Sequence, residues 1–358
     1  MPNVVRQTAL CMLIATVVAV GMLTLAACNV FYGGNIMSAP DAGKSARSTV
    51  PASTAPTRIV PTATTKPGGV RRPWNAIHNW AYWLDNPDLK QISRSNYELV
   101  VIDYSADGSA AKAFTAQQIE MLRNSSCQRR VVAYLSIGQA EAYRGYWQSS
   151  WKEGSPAWLA GPDPNWSKNY WVHYRDPDWQ RIVYHYLDAI IAAGFDGVYL
   201  DRVDAYQEDY AAGHEDDMVR FVSNIAQYAR SHSSLGEDFG VIAQNAEDLA
   251  AHHPDYVRLL TGIGREEVYI QATNQPTPAA VRSTIERSLD LFRQNSRAGL
   301  VLTVDYATNA DMIRIAYERA HAKGYIPYVT RADLDQLQIN VGYEPVCQQY
   351  SQQHRSSE

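Results

Sequence analysis

Beyond residue 28, this chain of 358 residues has no long apolar run, so the remainder reads as a soluble domain. It has no concentration of basic charge. The net charge is −5 with both signs dispersed, which leaves no electrostatic footprint for nucleic acid. Only four cysteines occur. Cys11 and Cys28 lie in the N-terminal segment. Cys127 and Cys347 remain, and in an oxidising compartment they can pair; the alternative is two buried free thiols. No glycine-rich phosphate turn follows the first β-rich run, which argues against a doubly wound nucleotide-binding sheet.

What is there begins with an address. Arg6 is the only charge before an apolar run from Ala9 to Ala27. The run ends in Leu25-Ala26-Ala27-Cys28, which resembles a bacterial lipobox. The expectation is a signal peptide over 1–27 and lipid on the Cys28 thiol; an uncleaved anchor is the alternative. Either way the rest is expected outside the cytoplasm, held to a bacterial membrane. Residues 28–72 are rich in Ser, Thr, Pro, Ala and Gly without apolar period, so they read as a disordered tether. A single domain over 73–348 and a polar tail over 349–358 complete the division.

Within that domain eight apolar β-rich runs alternate with helical patterns. The runs are Ile77–Trp83, Leu99–Tyr104, Val131–Ile137, Gly197–Leu200, Val241–Ala243, Leu260–Ile263, Leu300–Val304 and Ile326–Val329. Most are apolar throughout, as parallel strands covered on both faces should be. Thr115 with Gln118 forms a capping-box pattern. Asp176-Pro177, Thr277-Pro278 and Asn309 open helices, and Gly194 and Gly324 close two of them. Val281, Ile285, Leu289 and Phe292 are expected on one inward face. The fold class is α/β, a (β/α)8 TIM barrel.

In that architecture the C-terminal strand ends build the active face. Strand one offers Tyr82 there, strand two Asp103 and Tyr104, and strand three Ser136 and Glu141. Strand four offers Asp201, Arg202 and Asp204. Strand five adds Asn245, strand six Glu266 and Glu267, and strand seven Asp305 and Tyr306. No histidine stands at a strand end, which disfavours a zinc site, and no lysine, which disfavours Schiff-base chemistry. An all-oxygen calcium or magnesium site stays open, but no metal or cofactor is assigned. Carboxylates dominate, as glycoside hydrolysis requires. Asp204 is expected to support its neighbours rather than act directly.

Five of the nine tryptophans fall between Ala142 and Arg175, in a long connection after strand three. Long connections in compact domains are usually functional. Flat aromatic faces suit sugar rings; about half of these rings are expected to pack on one another instead.

Six motifs then point to one family. They are Val101-Ile-Asp103-Tyr104, Ala133-Tyr-Leu-Ser136-Ile-Gly-Gln-Ala-Glu141, Gly194-Phe-Asp-Gly-Val-Tyr-Leu-Asp201, Gln244-Asn245-Ala-Glu-Asp-Leu249, Gly262-Ile-Gly-Arg-Glu266 and Val304-Asp305-Tyr306. In this order they resemble glycoside hydrolase family 114, which includes endo-α-1,4-polygalactosaminidases. The resemblance implies a barrel with a catalytic acid on strand four and another on strand six. These are Asp201 as nucleophile and Glu266 as general acid/base, with Glu267 as the alternative on strand six. It implies an extracellular polysaccharide as substrate, α-linked and of amino-sugar type, a monomeric enzyme and no cofactor. Tyr82, Asp103, Tyr104, Ser136, Glu141, Arg202, Asn245, Asp305 and Tyr306 are the expected substrate-binding set. A surface carbohydrate-binding protein that no longer cuts is the competing reading.

Overall fold

The computed structural model describes residues 71–271 and 274–348. The expected signal peptide, the expected lipid site at Cys28, most of the expected tether and the polar tail lie outside the described residues.

Eight strands form one parallel sheet in sequence order: β1 (Trp80–Trp83), β2 (Leu99–Ile102), β3 (Arg130–Ser136), β4 (Gly197–Asp201), β5 (Gly240–Gln244), β6 (Gly262–Glu266), β7 (Leu300–Tyr306) and β8 (Ile326–Thr330). Each overlaps one apolar run read from the sequence. The sheet curls so that β1 meets β8, where the Trp80 indole donates to the Ile326 carbonyl at 2.9 Å. This is a (β/α)8 barrel.

Helices α1 (Leu89–Arg94), α2 (Ala116–Arg123), α3 (Pro177–Ala192), α4 (Glu215–His232), α5 (Pro254–Leu259), α6 (Ala279–Asn295) and α7 (Ala310–Lys323) connect the strands. Their starts follow the capping rules. Thr115 and Gln118 form a reciprocal capping box on α2. Asp176 caps α3 ahead of Pro177, and Asn309 caps α7. Gly324, at φ 72°, supplies the left-handed stop of α7. On α6, Ile285, Leu289 and Phe292 are buried as expected. Val281, in the first turn, is half exposed, so the buried face of α6 begins at Ile285.

No helix follows β8 among the described residues. The chain instead returns along the barrel from the C-terminal end of β1, where the Leu334 carbonyl accepts the Leu84 and Asp85 amides, packing Leu334 and Leu337 into the core and stacking Tyr343 on Tyr317 at 4.1 Å. Cys347 forms a disulfide with Cys127, which pins this return segment to the entrance of β3. Arg71 and Arg72, read as tether, belong to the barrel base. Arg71 pairs with Asp196 at 2.7 Å, and the buried Arg72 with Glu98 at 3.0 Å. Asp196 also takes Arg123 and the Val131 amide. Asp196 and Glu98, both with fully buried side chains, are thus committed to structure. No helix among the described residues is long and apolar enough to cross a membrane.

Candidate active site

Strand β4 delivers Asp201. Gly194, at φ 79°, ends the helical approach, Phe195 is buried, and Gly197–Leu200 run through the core. The strand emerges at Asp201, paired with Ser136 of β3. The Tyr134 hydroxyl donates to Asp201 Oδ2 at 2.6 Å, and the Arg202 amide donates to Oδ1 at 2.7 Å. Arg202 takes a left-handed turn at φ 60°, and its carbonyl is packed against Gly138. A Cβ at Gly138 would lie 2.3 Å from that oxygen, so the turns after β3 and β4 interlock only around glycine. The Arg202 guanidinium lies 5.2 Å from the Trp171 ring centre and 3.3 Å from Asp163.

Strand β6 delivers Glu266, paired with Val304 of β7. The Tyr306 hydroxyl donates to its Oε1, and Asn245 Nδ2 donates to its Oε2 at 3.1 Å. Asn245 Oδ1 in turn accepts the Glu266 amide at 3.2 Å. Arg265, one residue earlier, pairs with Glu247 at 2.8 Å. Glu267 turns into the left-handed region at φ 56°, and its charge acts on Asp305 and Tyr306. The β6 carboxylate held by Tyr306 and Asn245 is therefore Glu266.

The two acids share one electrostatic environment. Burial lifts the Asp201 carboxyl from its ordinary 3.8 to about 6. Arg202 and the Tyr134 hydrogen bond oppose this, while Glu266 and Asp204 reinforce it. Asp204 is also raised, first by burial, and its Oδ1 has no hydrogen-bond partner among the described residues. Four tyrosines surround the pair: Tyr82, Tyr134, Tyr199 and Tyr306. Burial, then neighbouring acidic groups, push all four phenols well above their usual range, so they remain hydrogen-bond donors. Tyr82 donates to Gln244 at 3.0 Å. The Tyr199 hydroxyl has no partner among the described residues. It fits there because β6 has Gly264, where a Cβ would lie 1.9 Å from that oxygen.

Six expected residues thus come together around one cup: Asp201, Glu266, Tyr82, Arg202, Asn245 and Tyr306. Five others are held by partners outside the acid pair. Asp103 and Glu141 are buried and both pair with Arg144, at 2.5 and 2.6 Å. Tyr104 packs edge-on against Tyr186 at 4.6 Å. The Ser136 hydroxyl donates to the Gln139 carbonyl at 3.1 Å. Asp305 is completely buried and accepts the Tyr269 and Ile270 amides at 2.7 and 2.8 Å, which ties down the connection after β6. Each of these five is engaged by groups of the protein itself. Tyr134 and Tyr199 were missed by sequence reasoning. Each stands two residues before a strand-end group, Ser136 and Asp201, and strand periodicity places each pair on one face.

The aromatic connection forms a small unit of its own. Gln139–Glu141, Asn169–Val172 and Leu159–Pro162 make a three-stranded antiparallel sheet. Trp151 and Trp158 pack edge-on at 4.9 Å, and Trp147 stacks on Tyr170 at 4.7 Å. Trp171 meets Arg202, while Trp166 stays half exposed. The unit also supplies Asp163, held by Gln139 at 2.7 Å, so it reaches the Asp201 turn through Arg202.

A parallel barrel whose C-terminal rim presents two carboxylates in one cup is the architecture of glycoside hydrolases. The chain belongs to glycoside-hydrolase family GH114, whose family model matches residues 60–350. An uncharacterized protein of Deinococcus radiodurans is 39% identical over 295 residues, covering 81% of this chain and 91% of that protein. Another from Methanocaldococcus jannaschii is 34% identical over 275 residues, covering 73% and 78%. Among solved structures, the fold is similar to that of Aspergillus fumigatus Ega3 in complex with galactosamine. The TM-score is 0.57 at 17% identity, covering 76% of this chain and 97% of that one. The glycoside hydrolase domain of PelA from Pseudomonas aeruginosa gives 0.55 at 16% identity, covering 74% and 98%. These two likenesses concern the fold alone.

Proposed function

We propose that this glycoside hydrolase cuts within an α-linked amino-sugar polysaccharide, with Asp201 as nucleophile and Glu266 as general acid/base. The observation that carries this reading is the convergence of the β4 and β6 carboxylates in one cup, each held by its own donors. Asp201 lies largely ionised above pH 6, as a nucleophile must. It attacks the anomeric carbon as Glu266 protonates the leaving oxygen. Glu266, now a base, then takes a proton from the water that releases the sugar. The Glu266–Tyr306 hydrogen bond can run in either direction, so Glu266 can carry or give up its proton without losing its partner. The amino-sugar preference is supported by the acidic cup, with Asp204 beside the pair, and by the galactosamine bound to the similarly folded Ega3. The enzyme acts as a monomer without cofactor, tethered outside the cytoplasm through Cys28.

The test is hydrolysis of an α-1,4-linked galactosamine oligomer, with products followed by mass spectrometry. Asp201→Asn and Glu266→Gln should each abolish cleavage while leaving the thermal unfolding transition in place. Retained cleavage in either variant overturns the pair. Binding of the oligomer by the wild-type protein without any cleavage would favour a carbohydrate-binding protein instead.

A further inference from the structure

We propose that Tyr134 is the positioning residue that aims and ionises Asp201, and that the buried Asp103–Arg144–Glu141 network exists to direct its proton there. The inference deepens the nucleophile reading above.

Tyr134 comes from the interior of β3, two residues before the strand end, and reaches two carboxylates. Its oxygen lies 2.6 Å from Asp201 Oδ2 and 3.5 Å from Glu141 Oε1. A phenol has one proton to give. Glu141 does not compete for it. Its Oε1 already accepts the Tyr143 hydroxyl at 2.5 Å, and its Oε2 accepts Arg144 Nε at 2.6 Å. Arg144 is held in turn by Asp103 at 2.5 Å and the Tyr186 hydroxyl at 2.9 Å. With Glu141 satisfied, the Tyr134 proton goes to Asp201. The guanidinium of Arg144 lies 5.7 Å from the centre of the Tyr134 ring.

A hydrogen bond from a neutral donor to a carboxylate favours the charged form. The other groups facing Asp201 are Arg202, Glu266, Asp204, Tyr82 and Tyr199. Glu266 and Asp204 repel its charge. Arg202, which supports it, shares its guanidinium with Asp163 and Trp171. Tyr134 is the side-chain hydroxyl that donates to Asp201 directly.

The experiment titrates Asp201 itself in the full-length protein. Selectively carbon-13-labelled aspartate carboxyls are followed by NMR, and the Asp201 signal is assigned by its loss in Asp201→Asn. In Tyr134→Phe the Asp201 midpoint should move up by about one pH unit. An unchanged or lowered midpoint overturns the proposal. Replacing Tyr134 with 3,5-difluorotyrosine, a more acidic phenol, keeps the fold even where phenylalanine does not. It should lower the midpoint, and no movement would again overturn the proposal. Neither readout requires turnover, so the proposal can fail while Asp201→Asn still abolishes hydrolysis. Retained hydrolysis in that variant would remove the nucleophile reading without touching the titration.

Discussion

Asn245 clasps Glu266 at both ends. Its amide nitrogen donates to the Glu266 carboxylate at 3.1 Å, and its amide oxygen accepts the Glu266 backbone N–H at 3.2 Å. This requires Asn245 to leave β5 in a left-handed conformation, at φ 59°. Asparagine tolerates that conformation better than most residues. The clasp therefore sets where the Glu266 carboxyl stands relative to a bound sugar. Asn245→Ala should lower kcat by about 100-fold with a smaller change in KM, because misplacing a catalytic group costs rate rather than binding. Steady-state kinetics on the galactosamine oligomer give the split. A pure KM effect would mean that Asn245 binds sugar instead of holding the acid.

Gly264 makes room for a tyrosine hydroxyl. A methyl group at this position would meet Tyr199 Oη at 1.9 Å and Cζ at 2.5 Å. Tyr199 is fully buried, with its ring packed against those of Trp80 and Tyr82. Gly264→Ala should cost about 2–3 kcal/mol, at the upper end of ordinary overpacking. Because the ring carbon also clashes, adding Tyr199→Phe should not restore stability, whereas Tyr199→Leu should recover part of it. Urea unfolding of the single and double variants measures this. Full rescue by phenylalanine would show that the hydroxyl alone was the obstruction.

Much of the barrel was legible because parallel strands buried on both faces read as apolar runs, as in Val131–Leu135. The Thr115, Asp176 and Asn309 caps were legible because their chemistry is local. Asp201 and Glu266 stood out as acids at strand ends. Asp103 and Glu141 looked the same by that criterion. The arginine that pairs with both enters from the loop after β3, and nothing local in sequence ties Asp103 to Arg144, 41 residues away. Tyr134 was hidden for the opposite reason, since a tyrosine inside a strand reads as core. The return segment after β8 was illegible because a disulfide and scattered contacts hold it, and neither has a period.

The Cys127–Cys347 disulfide closes a loop of 220 residues and holds the end of the return segment to the residues that lead into β3. Beside it, Arg72 bonds the Gln348 carbonyl at 2.7 Å, and the Gln348 amide bonds Glu98 at 2.8 Å. The chain-entropy model assigns a cross-link of this span about 5 kcal/mol, although non-native reduced states often retain structure and lower the figure. Cys347→Ser should therefore unfold at a clearly lower urea midpoint than the oxidised wild type. Dithiothreitol should lower the wild-type midpoint and leave the variant unmoved. Equal midpoints for oxidised wild type and variant would mean that the surrounding contacts alone hold the segment.

Asp305 gives the protein a stability that declines with rising pH. Burial raises its carboxyl from 3.8 to about 7, with Glu267 adding to the rise. The Ile270 and Tyr269 amides and Arg265 oppose it. Below the unfolded value both states hold the proton, and the stabilising contribution is fully present. Between about pH 4 and 7 the unfolded chain releases the proton while the folded chain keeps it. Folding then loses about 1.4 kcal/mol per pH unit from this group, levelling off above 7. Asp201, raised to about 6, acts with the same sign over a narrower window. Asp305→Asn removes the first contribution, and the asparagine oxygen can still accept both amides. The variant should therefore gain on the wild type as pH rises, by about 3 kcal/mol between pH 4.5 and pH 8. Urea midpoints measured at the two pH values test this. A stability difference independent of pH would show that Asp305 is ionised in the folded protein throughout, with its two backbone donors outweighing its burial.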